Sequence, residues 1–150
     1  MAKCKKILLA EDSENDIELT LRALEECSLG DEVYAVRDGG EALDYLYSRN
    51  QYGRRAGGLP GLVLLDLKMP RVDGLEVLRA VKSDAALSHL PVVMLTSSRE
   101  ESDLVRSYAL GVNAFVVKPV DARKFAAAIK SIAVFWALIN ELPPDERPGN

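Results

Sequence analysis

The sequence predicts an α/β fold, a parallel sheet covered on both faces by helices. Three features carry that expectation. Short, continuously apolar runs recur along the chain, segments of helical period separate them, and reactive polar residues stand just after the runs. Unbroken apolar character is what a strand covered on both faces requires, whereas a half-exposed strand would alternate.

The runs are Ile7-Leu8-Leu9-Ala10, Val33-Tyr34-Ala35-Val36, Leu62-Val63-Leu64-Leu65, Val92-Val93-Met94-Leu95 and Ala114-Phe115-Val116-Val117. Between them, Ile17, Leu21 and Leu24 stand four and three apart, and Ala42, Leu43 and Leu46 repeat the rhythm. Leu75, Leu78 and Lys82 belong to a third helix, and Leu104, Tyr108 and Leu110 to a fourth. Asp38 before Glu41, and Ser98 before Glu101, have capping-box spacing, and Gly111 suits a left-handed helix end. The connection from Ser48 to Pro60 exceeds the roughly 2–6 residues of an ordinary helix-to-strand link. It carries Arg49, Arg54 and Arg55 without an acid, and reads first as a solvated connector, then as a partner-docking loop.

Composition narrows the function. The 150 residues are 48% apolar and 28% charged, enough for one packed domain and unlike a disordered chain. Nineteen basic against 23 acidic side chains give a net charge of −4, which disfavours non-specific nucleic-acid binding. Two cysteines (Cys4, Cys27) and one histidine (His89) make neither a disulfide framework nor a zinc site. The apolar stretch near the N-terminus is too short for a signal peptide or a membrane span. A cytoplasmic domain is expected.

In an open parallel sheet, chemistry gathers outside the carboxyl ends of the strands. Glu11 and Asp12 follow the first run, Asp66 the third, Thr96 the fourth and Lys118 the fifth. Each has a structural use as well: the acids can complement a helix dipole, Asp66 can form a turn before Pro70, Thr96-Ser97-Ser98 can cap a helix, and Lys118-Pro119 can be a surface turn. Together they make a better site than four accidents. Three carboxylates at one sheet end repel unless a cation joins them, and an all-oxygen set suits Mg²⁺ or a similar hard ion such as Mn²⁺. A carboxylate there can attack a phosphoryl donor and form an aspartyl phosphate. Asp66 is the best nucleophile, Glu11 and Asp12 hold the metal, Lys118 supplies an ammonium, and Thr96 a hydroxyl, with Ser97 and Ser98 as further donors.

The segments ILLAEDSENDIELT, LVLLDLKMPRVDGLEVL, VVMLTSS and AFVVKPV, in this order, make the chain resemble a response-regulator receiver domain over essentially its whole length. The resemblance implies a doubly wound, flavodoxin-like five-stranded sheet of order 2-1-3-4-5 with five helices, and phosphorylation of Asp66 by a sensor histidine kinase. It also implies that the backbone carbonyl of Lys68 completes the metal shell, that Lys118-Pro119 is a cis bond, and that Thr96 and Phe115 form a coupled switch pair. Two departures stand out: the acidic pair is Glu11-Asp12 rather than two aspartates, and the switch aromatic is phenylalanine rather than tyrosine. The long Arg-containing loop and the ending SIAVFWALINELPP resemble the stand-alone regulators paired with phytochrome-type kinases.

The last helix points to a partner. Phe125, Ile129, Ile132, Trp136 and Ile139 form a stripe for the sheet, yet every residue from Ile132 to Ile139 is apolar. Val134, Phe135 and Leu138 are left as an outward patch, with Trp136 beside them, unless the tail folds back over it. A homodimer through this helix, the fourth helix and the fifth strand is expected. The receiver domain spans 1–142, a short Pro-rich polar tail spans 143–150, and no effector domain, direct DNA binding or membrane contact is expected. Two other functions fit the sequence less well. A phosphohydrolase with an aspartyl-phosphate intermediate would place an acid two residues after the nucleophile, where Lys68 stands. A degenerate receiver would have lost part of the set Glu11, Asp12, Asp66, Thr96 and Lys118. Neither GxGxxG nor GxxxxGK[ST] occurs.

Overall fold

The structure is a computed structural model that describes residues 5–55 and 58–144, so Cys4 and tail residues 145–150 lie outside the described residues. Five strands and five α-helices alternate: β1 (Ile7–Ala10), α1 (Glu14–Glu26), β2 (Val33–Val36), α2 (Gly39–Leu46), β3 (Leu62–Leu65), α3 (Gly74–Ser83), β4 (Val92–Thr96), α4 (Glu101–Ala109), β5 (Ala114–Val117) and α5 (Ala122–Ala133). The sheet is parallel throughout, in the order β2-β1-β3-β4-β5. The continuously apolar β1, β3 and β4 are buried at every residue, whereas the edge strand β5 is only partly covered.

Alternate residues of each strand feed two cores, as a period of two demands. Leu8, Val63, Leu65 and Met94 meet Ala42 and Leu46 of α2 and Leu75, Leu78 and Val81 of α3 on one face. Ile7, Leu9, Leu64 and Val93 meet Ile17 and Leu24 of α1 and Phe125 and Ile129 of α5 on the other. The chain leaves β1 for β2 in one direction and returns to β3 on the other side of β1. The strand order therefore reverses between β1 and β3, and the crevice at their carboxyl ends is where such folds place ligands.

Local signals and structure agree at several helix ends. Asp38 caps α2, its Oδ1 accepting from the Glu41 N–H at 2.8 Å. Gly111 takes φ +97° immediately beyond α4, a conformation strained for side-chain-bearing residues. Ser98 does not cap α4: its hydroxyl donates to Asp103 Oδ2 at 2.6 Å, and the N-cap is Glu100 without a side-chain bond.

Two apolar stripes differ from expectation. On α4 the buried residues are Asp103 and Ser107, while Leu104, Val105 and Tyr108 are exposed. The polar pair is satisfied inward, which leaves the apolar side of the helix to solvent. After α5 the helix widens into a π-turn over Val134–Ile139, with the Asn140 N–H donating to the Phe135 carbonyl five residues earlier at 2.7 Å. Phe125, Ile129 and Ala133 of α5 are buried, the π-turn adds Ala137 to that line, Trp136 is only partly covered and Ile139 is 60% exposed. Lys5 ties this end down by donating its ammonium to the carbonyls of Ala137 and Asn140.

The long connection is more than a solvated link. A 3₁₀ turn at Asn50–Tyr52 buries Tyr52, whose hydroxyl donates to Glu41 Oε2 at 2.6 Å. Arg55 stacks on the Tyr45 ring at 4.1 Å and donates to the Tyr45 carbonyl at 2.9 Å. These contacts fold the loop back on α2 and β2.

Candidate functional site

Ladder hydrogen bonds carry past the strand ends and place the site. The Glu11 N–H donates to the Val36 carbonyl at 3.0 Å and the Asp66 N–H to the Ala10 carbonyl at 2.9 Å, which sets the two acids side by side at the switch point. The Lys118 N–H donates to the Thr96 carbonyl at 2.8 Å, aligning the far pair in the same way. Gly74 at the start of α3 lets the following loop close on the acid: a Cβ there would lie 2.3 Å from the Asp66 carbonyl oxygen.

One carboxylate oxygen each from Glu11, Asp12 and Asp66 lies within 4.8 Å of the others. Glu11 and Asp66 are buried and Asp12 is exposed at the mouth. The Lys118 ammonium reaches the two buried acids, donating to Glu11 Oε1 at 2.5 Å and to Asp16 Oδ2 at 2.8 Å, and standing 3.5 Å from Asp66 Oδ2. Burial pushes the Glu11 carboxyl up to about 7 despite the Lys118 hydrogen bond, and the nearby Asp66 charge pushes the same way. Burial alone would lower Lys118, but its hydrogen bonds to Asp16 and Glu11 and the Asp66 charge outweigh it and hold the ammonium above its ordinary range. The acids thus hold excess negative charge that one lysine does not neutralise. An all-oxygen donor set of this kind fits a hard divalent cation, Mg²⁺ or Mn²⁺.

The other expected residues fall around this centre. Thr96 is fully buried, and its Oγ1 accepts from the Ser98 N–H at 3.2 Å. Ser97 is exposed and lines, with Asp16, Lys118 and Pro119, a cleft of about 230 Å³. Phe115, half-buried beside Met94 on β4, packs toward the α2–α3 core. Lys68 extends from the loop after β3, its ammonium 3.9 Å from Asp103. The Lys118-Pro119 peptide is trans, correcting the expected cis bond, since no cis peptide occurs among the described residues. The trans form is also the intrinsically preferred state of an X–Pro bond. Val134, Phe135 and Leu138 stand well away in sequence and are exposed, as expected; Trp136, expected in the stripe on the sheet, rests partly on the core.

Two further residues belong to the site. Asp16 is in the first turn of α1 and Asp103 in that of α4, where acids ordinarily complement the helix dipole. Their spacing alone carries no sign of Lys118 or Ser98. The clue for Asp103 is that it shares the buried face of α4 with Ser107, and only folding reveals it.

The family follows from both comparison and geometry. Residues 7–130 match the response regulator receiver domain, and the chain belongs to that family, whose members are phosphoryl-accepting signalling switches of two-component systems. Among its relatives, the response regulator Rcp1 of Synechocystis sp. is 36% identical over 139 residues, covering 93% of each chain. The solved Mn²⁺-bound form of Rcp1 superposes with a TM-score of 0.86. The phosphorylated cyanobacterial phytochrome response regulator RcpA is 40% identical, with a TM-score of 0.88, over 95% of this chain and 100% of that one. The bacteriophytochrome response regulator AtBRR is 62% identical, with a TM-score of 0.74, over 93% of this chain and 100% of that one. Family membership implies a histidine kinase as partner. No helix among the described residues is long and apolar enough to cross a membrane.

Proposed function

We propose that Asp66 is the phosphoacceptor of a stand-alone receiver, loaded by a phytochrome-type histidine kinase and read out by protein–protein contact in the cytoplasm. The observation that carries the site is the convergence of Glu11, Asp12 and Asp66 at the switch point of the sheet, with the Lys118 ammonium against Glu11 and Asp66. Glu11, Asp12 and Asp66 would hold Mg²⁺ or Mn²⁺, with the Lys68 carbonyl as a further ligand. When bound, the metal neutralises charge on the transferring phosphoryl oxygens.

The chain's own groups do the rest. An Asp66 carboxylate oxygen attacks phosphorus, the bond to the donor oxygen or nitrogen breaks, and the leaving group departs with the electron pair. Lys118 meets a phosphoryl oxygen, and Thr96, freed from the Ser98 N–H, donates to another. Movement of Thr96 vacates space beside β4 into which Phe115 can turn; with no hydroxyl on its ring, the signal passes by packing. The same site supports loading from small phosphodonors and slow hydrolysis of the product, without making the protein an enzyme in the ordinary sense. High identity to AtBRR and similarity to RcpA support the phytochrome-type kinase.

The domain is assigned to 1–142, with 143–150 as a polar tail. The exposed Phe135, Leu138 and Ile139, at 47%, 41% and 60%, support self-association through the C-terminal helix, joined by α4 and β5.

Intact-protein mass after incubation with Mg²⁺ and acetyl phosphate tests the site. One phosphoryl adduct is expected on the wild type and none on Asp66→Ala or with EDTA. An unmodified wild type, or an adduct that persists in Asp66→Ala, would overturn the assignment.

A further inference from the structure

We propose that Asp16 is a positioning residue of the phosphoryl-transfer site, the resting-state counter-ion from which Lys118 must be released when Asp66 is loaded. This rests on the reading of Asp66 as phosphoacceptor. Asp16 is in the first turn of α1, and its Oδ2 accepts from Lys118 Nζ at 2.8 Å, across 102 residues of sequence. The lysine side chain is 8% exposed and Asp16 is 24% exposed, so the bond lies at the inner wall of the cleft rather than in open solvent.

Asp16 differs from the other acids around Lys118. Glu11 and Asp66 have carboxylate oxygens in the cluster suited to a divalent cation; Asp16 contributes none. With one oxygen each of Glu11 and Asp66 committed to a metal, Asp16 is the one of the three acidic partners of Lys118 that gives no oxygen to that cluster. An incoming phosphoryl group offers oxygens of the same charge and therefore competes with Asp16 for one donor group. Asp16 is also held in register. Its backbone N–H donates to Ser13 Oγ at 3.3 Å, and the Ser13 N–H donates to Glu11 Oε2 at 3.1 Å. The helix start, the metal-side acid and the lysine partner form one hydrogen-bonded unit, so exchange of Lys118 from Asp16 to a phosphoryl oxygen would be felt at α1.

Loading forms a bond between Asp66 Oδ and phosphorus and breaks the bond from phosphorus to the acetate oxygen of acetyl phosphate. Acetate leaves with the electron pair, and no proton need move. Asp16 takes part in none of these bonds; its effect runs through Lys118.

Loading should be measured by mass at saturating Mg²⁺ for the wild type, Asp16→Asn, Asp16→Glu, Lys118→Ala and the Asp16→Asn/Lys118→Ala pair. A charge-assisted hydrogen bond at a partly exposed position predicts about fivefold faster loading of Asp16→Asn. Asp16→Glu should return to within about twofold of the wild type, and Asp16→Asn should add nothing where Lys118 is already alanine. In EDTA, the ¹⁵N resonance of the Lys118 ammonium should be visible in the wild type and shifted in Asp16→Asn. Unchanged or slower loading in Asp16→Asn overturns the inference, as does the same acceleration without Lys118 or an unshifted ammonium signal. A wild type that takes no adduct defeats the Asp66 reading and this inference with it, whereas a normal adduct with unaltered Asp16→Asn kinetics defeats this inference alone.

Discussion

The carboxyl edge of the sheet and the C-terminal helix reverse the ordinary distribution of side chains in opposite ways. At the edge, charged groups are inside: Glu11, Asp66 and Asp103 are 3%, 7% and 3% exposed. At the last turns, apolar groups are outside, Phe135 and Ile139 among them. A buried charge must have partners, and here it does; Lys118 answers Glu11, Asp16 and Asp66, and Ser98 answers Asp103. Among the described residues, the exposed apolar turns are anchored along one side, through Ala133, Ala137, the partly covered Ile132 and Trp136, and the Lys5 bonds to the backbone. Buried charges met within the chain mark a chemical site, and the uncovered apolar surface is what supports the proposed self-association.

The largest effect should come from removing the common partner. Lys118→Ala leaves the buried acids facing one another and is expected to destabilise the metal-free protein by about 3 kcal/mol in urea unfolding. Mg²⁺ should recover much of that loss. Phosphorylation should still be detectable while its effect on the Phe115 surroundings is lost, because the lysine serves the switch more than the metal. Parallel loss of metal affinity and loading would place Lys118 in the wrong role and blur the contrast between the two regions.

At the other region, Phe135→Glu should weaken self-association at least about 30-fold in sedimentation, as loss of a central aromatic anchor does. Its thermal stability should stay close to wild type, because a surface change away from the core alters folding by only about 0.5 kcal/mol. Trp136→Glu is a poorer probe, since that ring packs partly on the core and its edge meets Phe135 at 4.9 Å. A wild type that sediments as a monomer at all concentrations, phosphorylated or not, would remove the docking half of the comparison.

The smallest expected effect is a pH dependence confined to the charged edge. Glu11 ordinarily titrates near 4.5 and is raised to about 7 in the fold. The stability it contributes to the metal-free protein is therefore full below pH 4.5 and is lost as pH rises through 7. Metal binding runs the other way, because it takes the carboxylate and expels the proton. Mg²⁺ affinity should rise about tenfold from pH 6 to 7.5, with proton release in calorimetry. A flat profile would mean that Glu11 is already ionised at pH 6.

Much of this molecule is written locally. Each strand lies within one residue of its apolar run, with only β4 extended to include Thr96, because continuous burial leaves a signature in consecutive residues. Glu11, Asp12, Asp66, Thr96 and Lys118 were legible for a related reason: a parallel sheet fixes where strands end, so a polar residue at that position has a known neighbourhood. The Asp38 cap and the Gly111 turn are also local, each set by residues only a few positions apart.

What folding alone decided depends on partners distant in the chain. Asp16 and Lys118 meet across 102 residues, and no spacing within α1 distinguishes such an acid from one that serves the helix dipole. Asp103 is buried against the Ser98 hydroxyl while Leu104 is exposed, and the helix widens after Ala133; neither is marked by the adjoining residues. Sequence determines elements, the fold class and the strand ends, because those follow from neighbours along the chain. Tertiary structure decides which carboxylate holds which ammonium and which apolar face is left to solvent, because those are settled by competition among groups that only the finished fold brings within reach.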